Sequence, residues 1–193
     1  MKTLLHTALT AVLSTAILVG CGGASSDGKA ADAPTGADPQ KSAEKAVMDF
    51  IQAATKADFD AADKFVFTDD NGVQLLWMTM KQVIRQGQEA EASGKTPDVA
   101  FLTCDFEIFH HPMLDTVIKM AQNNAMSEFT QYGISDLRMV ILKQSPLPKL
   151  LKTSPRARAG LRGMVAVCKD GVWKVIPGFE DIDVELEDLE KIQ

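Results

Sequence analysis

The chain has 193 residues, 46% apolar and 24% charged, enough for one globular domain whose core needs neither metal nor dense disulfides. Twenty Lys and Arg stand against 26 Asp and Glu, a formal net charge of −6. That acidic balance lacks the basic face that neutralises phosphates, so no nucleic-acid partner is expected.

Met1-Lys2 forms a short basic start. Leu4, Leu5, Ala8, Leu9, Ala11, Val12, Leu13, Ala16, Ile17 and Leu18 follow as an apolar run broken only by Thr, Ser and His6. This is the layout of a secretory signal peptide over residues 1–20. Its end, Leu18-Val19-Gly20-Cys21, resembles the bacterial lipobox, with an aliphatic residue three before a cysteine and a small one just before it. The resemblance implies a lipoprotein in which Cys21 is the lipid attachment residue and the first residue of the mature chain. Its thiol takes a diacylglyceryl group and its freed amine a further acyl chain such as palmitate. Two chains hold firmly where one is marginal, at about 0.8 kcal/mol per buried CH₂. A plain cleaved signal and a short uncleaved anchor are the alternatives. Loss of Lys2 with the signal leaves 19 cations against 26 acids, or −7. Nothing after residue 20 is apolar over the roughly 18–20 residues of a membrane span, so the lipid is the expected membrane contact. Gly22, rather than Asp, as second mature residue points to the outer membrane in a host with two membranes, on its periplasmic or outer side.

Residues 21–41 carry Gly, Ala, Ser, Asp, Pro and Lys with no large apolar side chain, and read as a flexible tether. Random-coil scaling gives it a reach of roughly 25 Å. The domain is expected over residues 42–193. A first helix starts at a Ser42 cap and runs to about Lys56, with Val47, Phe50, Ile51 and Ala54 on one stripe. Asp58 caps a short second helix. A longer third one follows Asn71-Gly72, buries Val73, Leu76, Trp77, Met80, Ile84 and Gly87, and ends near Ser93-Gly94. The period then changes to two: Leu102, Cys104, Phe106 and Ile108 share one strand face, and Thr103, Asp105 and Glu107 the other. Pro112 opens a helix along which Leu114, Ile118, Ala121, Ala125 and Phe129 recur. Leu137, Met139 and Ile141 alternate again. Residues 144–159 read as a loop with three prolines, and Gly163–Lys169 and Val172–Ile176 as a hairpin around Lys169-Asp170-Gly171. Ile182, Leu186 and Leu189 place a last helical face among acids.

Ala43-Glu44-Lys45-Ala46-Val47-Met48-Asp49-Phe50, Lys56-Ala57-Asp58-Phe59-Asp60-Ala61-Ala62 and Asp170-Gly171-Val172-Trp173-Lys174-Val175 stand in this order. In this the chain resembles the NTF2-like (cystatin-like) superfamily, specifically small bacterial lipoproteins with a DUF4878-type domain. The resemblance implies an α+β fold, N-terminal helices packed on a curved antiparallel sheet that often encloses a pocket. It implies no activity, because that fold hosts enzymes, transport factors and inert modules alike.

Candidate chemistry is sparse. Cys104 and Cys168, an even pair in an exported chain, are disulfide candidates, with two buried free thiols as the alternative. Asp105 and Glu107 point one way from their strand, and Arg138 is expected to pair with them across strands rather than leave them as an acid–base site. His110, in phase with Phe106 and Ile108, is a pocket candidate together with Trp173 and Met139. Adjacent His111 points to the opposite face, and with no ligand-spaced carboxylate or thiol nearby no metal is expected. Met78, Met80, Met120, Met126 and Met139 read as core filler. Lys143, Lys149, Lys152, Arg156, Arg158 and Arg162 form a basic stretch, read as a solvated loop facing the acidic 180–190 tail, with contact to anionic headgroups as the alternative. Tyr132 lies at a helix end. No catalytic set and no cofactor follow. The expectation is a non-catalytic binding or accessory module of the envelope, its partner an envelope protein or a small ligand; the alternative is a pocket-type enzyme or small-ligand binder.

Overall fold

In the computed structural model, residues 38–97, 99–145 and 160–182 are described. Cys21 and the signal before it, Lys149, Lys152, Arg156, Arg158, Leu186 and Leu189 lie outside them, as do the side chains of Met120 and Ala121.

Helix α1 spans Pro39–Thr55 and buries Ala43, Ala46, Val47, Phe50, Ile51 and Ala54. It starts before the expected Ser42. Asp38 caps it, accepting the Gln40 N–H at 2.9 Å, and Pro39 takes the first turn, where its missing N–H costs nothing. Asp58 caps α2 (Phe59–Asp63) through the Ala61 N–H at 3.1 Å. Asp70 caps α3 (Asn71–Ala92) through the Val73 N–H at 2.9 Å. Val73, Trp77, Ile84 and Gly87 form the buried face of α3, and Gly94 follows its end with φ +75°.

The expected strand from Leu102 is shorter. Ala100–Thr103 form one helical turn, α4, and β1 covers only Asp105–Ile108. Leu102 fits either period, and the packing decides: on α3, a Cβ at Gly87 would stand 2.6 Å from Leu102 Cδ1, so glycine there lets α4 sit down. Within β1 the expected phase holds, Phe106 and Ile108 half-buried and Asp105 and Glu107 exposed.

Helix α5 (Pro112–Phe129) and a 3-10 turn (Thr130–Tyr132) lead to β2 (Ile134–Ser145), β3 (Leu161–Lys169) and β4 (Val172–Asp181). The fold is α+β: helices with a four-stranded antiparallel sheet of order β1-β2-β3-β4. Asp170 and Gly171 make the β3–β4 turn with φ of 51° and 76°, the pair of positive values a two-residue hairpin needs. Val66 adds a short parallel bridge to Val175, sealing part of the outer edge of β4. Every residue from Leu161 to Cys168 is buried, so β3 is covered on both faces. Helix α1 crosses β2, β3 and β4, while α5 packs on β2.

The structure overturns four expectations. Cys104 and Cys168 are buried thiols with no disulfide between them. Asp105, next to Cys104, pairs with Ser145, whereas Cys168 pairs with Asp136 at the other end of β2. Nine residues of strand put roughly 30 Å between those ends, against a Cα separation of about 4.4–6.8 Å for a bridge. Glu107 stands opposite Lys143 and pairs with it at 3.5 Å, while Arg138 binds Asp136 on its own strand at 2.9 Å. Arg162 belongs to no solvated loop; it is a β3 residue, 6% exposed. Met78 is no core filler but 66% exposed, on the outer side of α3; Met139 is buried, and Met80 and Met126 pack partly against the core.

Candidate functional site

Strand β1 leaves the sheet early. Phe109 still donates its N–H to the Ile141 carbonyl at 2.8 Å, and then Pro112 turns the chain into α5. The part of β2 before Ile141 is therefore without a β1 neighbour, and α5 lies against it. The first turns of α1 bring Gln40 and Glu44 to the same corner, around a cavity of about 230 Å³. Ile108, Phe109, Ile118, Met139 and Ile141 supply its apolar wall; Glu44, His110, His111, Asp115, Lys119, Gln122 and Arg138 supply the polar groups.

Two of these polar side chains are largely buried. Glu44 is 8% exposed. Its Oε1 accepts from Gln40 Nε2 at 2.9 Å, one turn back on α1, and lies 3.6 Å from His110 Nε2. Its Oε2 bonds no described residue. Gln122, 9% exposed, lines the same cavity, and its amide makes no hydrogen bond to a described residue. Arg138 is committed to Asp136 Oδ2, by Nε at 3.1 Å and Nη2 at 2.9 Å. The His111 ring stacks on Phe109, with centroids 6.3 Å apart and planes 4° off parallel.

His110 and Met139 thus reach one cavity, and Trp173 does not; it sits half-buried on β4 opposite Cys168. His110 stands at the rim with a 69% exposed side chain. A separation of 3.6 Å from Glu44 exceeds a hydrogen bond, and among the described residues no Ser, Thr, Cys or Tyr lines the cavity to act as nucleophile. Among the described residues no three His, Cys, Asp or Glu converge as metal ligands. Glu44 and Gln122 were absent from the sequence candidates, although each left a signal. Glu44 is in phase with Val47 and Ile51, and Gln122 with Ile118 and Ala125, polar residues inside apolar stripes. A buried polar residue is more informative than an exposed apolar one.

Tyr132 lies elsewhere. Its hydroxyl donates to Asp70 Oδ2 at 2.6 Å, tying the start of β2 to the cap of α3. That phenol bond, helped by the Val73 and Gly72 amides, holds the Asp70 carboxyl below its ordinary value, and the same bond raises Tyr132 above its own. Asp70 thus adds stability that is complete above its ordinary pKa and disappears as pH falls through the lowered folded one. The Tyr132 contribution is complete below the ordinary phenol value and disappears as pH rises through the raised one. Tyr132→Phe is expected to cost about 1 kcal/mol at pH 7, a charge-assisted bond discounted for exposure. Urea melts across pH should show the cost shrinking at both extremes; a constant difference would refute the assignment.

The chain matches no family model, no curated protein and no solved structure.

Proposed function

We propose that this chain is a lipid-anchored domain of the bacterial cell envelope that binds a small ligand, without chemistry, in the cavity between α1, α5 and the β1–α5 corner. One observation carries the binding reading: Glu44 and Gln122, polar residues only 8% and 9% exposed, line the same cavity beside an apolar wall. The apolar wall beside them suits a concave site with a few polar anchors. Helices preceding an antiparallel meander support an NTF2-like identity for the domain. The lipobox at Cys21 supports the anchor and, through Gly22, an outer-membrane address. No described helix is long and apolar enough to cross a membrane.

Mass spectrometry of the protein taken from membranes should find an N-terminal peptide that begins at diacylglyceryl-modified Cys21, and Cys21→Ser should release the chain from the membrane fraction. Native spectra of the same preparation should show a small-molecule adduct. Membrane retention unchanged by Cys21→Ser would end the anchor reading, and spectra without any adduct would end the binding reading.

A further inference from the structure

Independently of any ligand, we infer that two copies of this chain pair through the outer face of α3, antiparallel about a two-fold axis between residues 76 and 77. Among the described residues four large apolar side chains are exposed, and three of them, Leu75, Met78 and Val83, stand on this one helix. Leu75 is 65% exposed and Met78 66%. Apolar residues scattered singly over a surface are ordinary, whereas a group on one face marks a contact. Every exposed residue of α3 from Asn71 to Val83 is also uncharged, in a chain that is 24% charged. Lys81 within that stretch turns toward α2, where its Nζ donates to Asp63 Oδ2 at 2.7 Å. Arg85, one turn on, lies over the Phe59 ring at 5.0 Å.

The missing charge selects the partner. A membrane surface or a protein of opposite charge is met through charged side chains, and this face offers none. Two copies of a chain with net charge −6 repel one another over most of their surface, and a neutral face is where that repulsion is least. The pattern is self-complementary as well. In a two-fold contact residue i meets j while j meets i. Residues three apart on a helix are neighbours, so the axis gathers Leu75 and Met78 of both copies into one central apolar cluster. It sets Asn71 of each copy opposite Gln82 of the other, two amides that each donate and accept. So small a core makes a weak dimer, at the low end of specific interfaces, below about 1,200 Å² of buried surface, and the dilute chain is a monomer.

Sedimentation velocity of the full chain in density-matched detergent tests this, with circular dichroism confirming that each variant folds. A reversible shift from monomer to dimer is expected as concentration rises. Met78→Glu should weaken the dimer by about tenfold or more, because it sets a charge in the desolvated centre. Val172→Glu, the same change at the exposed apolar residue outside α3, should leave it as it was. Leu75→Lys alone should also weaken it, and mixing the Leu75→Lys and Met78→Glu chains should restore pairing, since the introduced charges then meet across the axis. A monomer at every concentration would overturn the inference. So would a dimer indifferent to Met78→Glu, the result for chains that pair elsewhere or merely share a micelle. A monomer destabilised by Met78→Glu would show the face covered within its own chain, and mixed chains that fail to pair would refute the two-fold register; either result ends the inference.

Discussion

Phe50→Ala is expected to cost about 3–5 kcal/mol, because a fully buried ring is lost where three helices meet and the cavity left behind collapses only partly. Phe50 is 0% exposed and lies 5.2 Å from the Trp77 ring and 6.1 Å from that of Phe101, so α1, α3 and α4 share it. Against a typical total stability of about 5–15 kcal/mol, such a loss is a large fraction of the whole. Met78→Ala is the control: at 66% exposure it should move stability by no more than about 0.5 kcal/mol. Urea melts followed by fluorescence, with Trp77 beside the deleted ring, measure both. A Phe50→Ala loss below about 1 kcal/mol would mean that α1 and α3 do not meet as described.

Arg162 should show how much a buried charge depends on its surroundings. The side chain is 6% exposed; its Nε donates to Gln144 Oε1 at 3.3 Å, and Gln144 Nε2 donates to Cys104 Sγ at 3.1 Å. Burial pulls the guanidinium below its ordinary pKa. Arg162→Ala is expected to cost about 3 kcal/mol, through the void and the loss of a donor to buried Gln144. Arg162→Met should cost less, since volume-filling apolar replacements of buried charges are often close to neutral. Equal losses in the two variants would place the cost in the charge rather than in packing.

Much of the fold was legible because it is written in local chemistry. Asp58 caps a helix wherever an acid precedes a short run such as Phe59–Asp63 and can reach the Ala61 amide. Asp170-Gly171 turns a hairpin because glycine, and more rarely Asp, tolerates positive φ. The stripe on α3 is a consequence of 3.6 residues per turn. Such signals need only a few neighbouring residues, and they placed α2, α3, the α5 start and the β3–β4 hairpin.

What eluded the sequence depends on partners far along the chain. Leu102 alternates with Cys104 as a strand residue would, yet Gly87, 15 positions earlier, makes room for a helical turn. Arg162 reads as part of a basic stretch until β3 is seen to be covered on both faces. Glu107 pairs with Lys143 and not with Arg138, because register alone says which residues stand opposite. The Cys104–Cys168 bridge is a reasonable expectation for a chain read as exported, and the length of β2 rules it out.

By itself, then, the sequence determined the α+β class, the caps and turns, the apolar faces, and the candidacy of Cys21 as an anchor. These follow from propensity, periodicity and residue chemistry, which act over one or two turns. Only the tertiary structure decided that α1 brings Glu44 to the free stretch of β2, that α5 brings Gln122 there, and that His110 and Met139 join them while Trp173 does not. That cavity exists because β1 ends at Ile108 and α5 takes its place beside β2. Pro112 marks the start of α5 locally, but long-range packing decides that α5 lies beside β2.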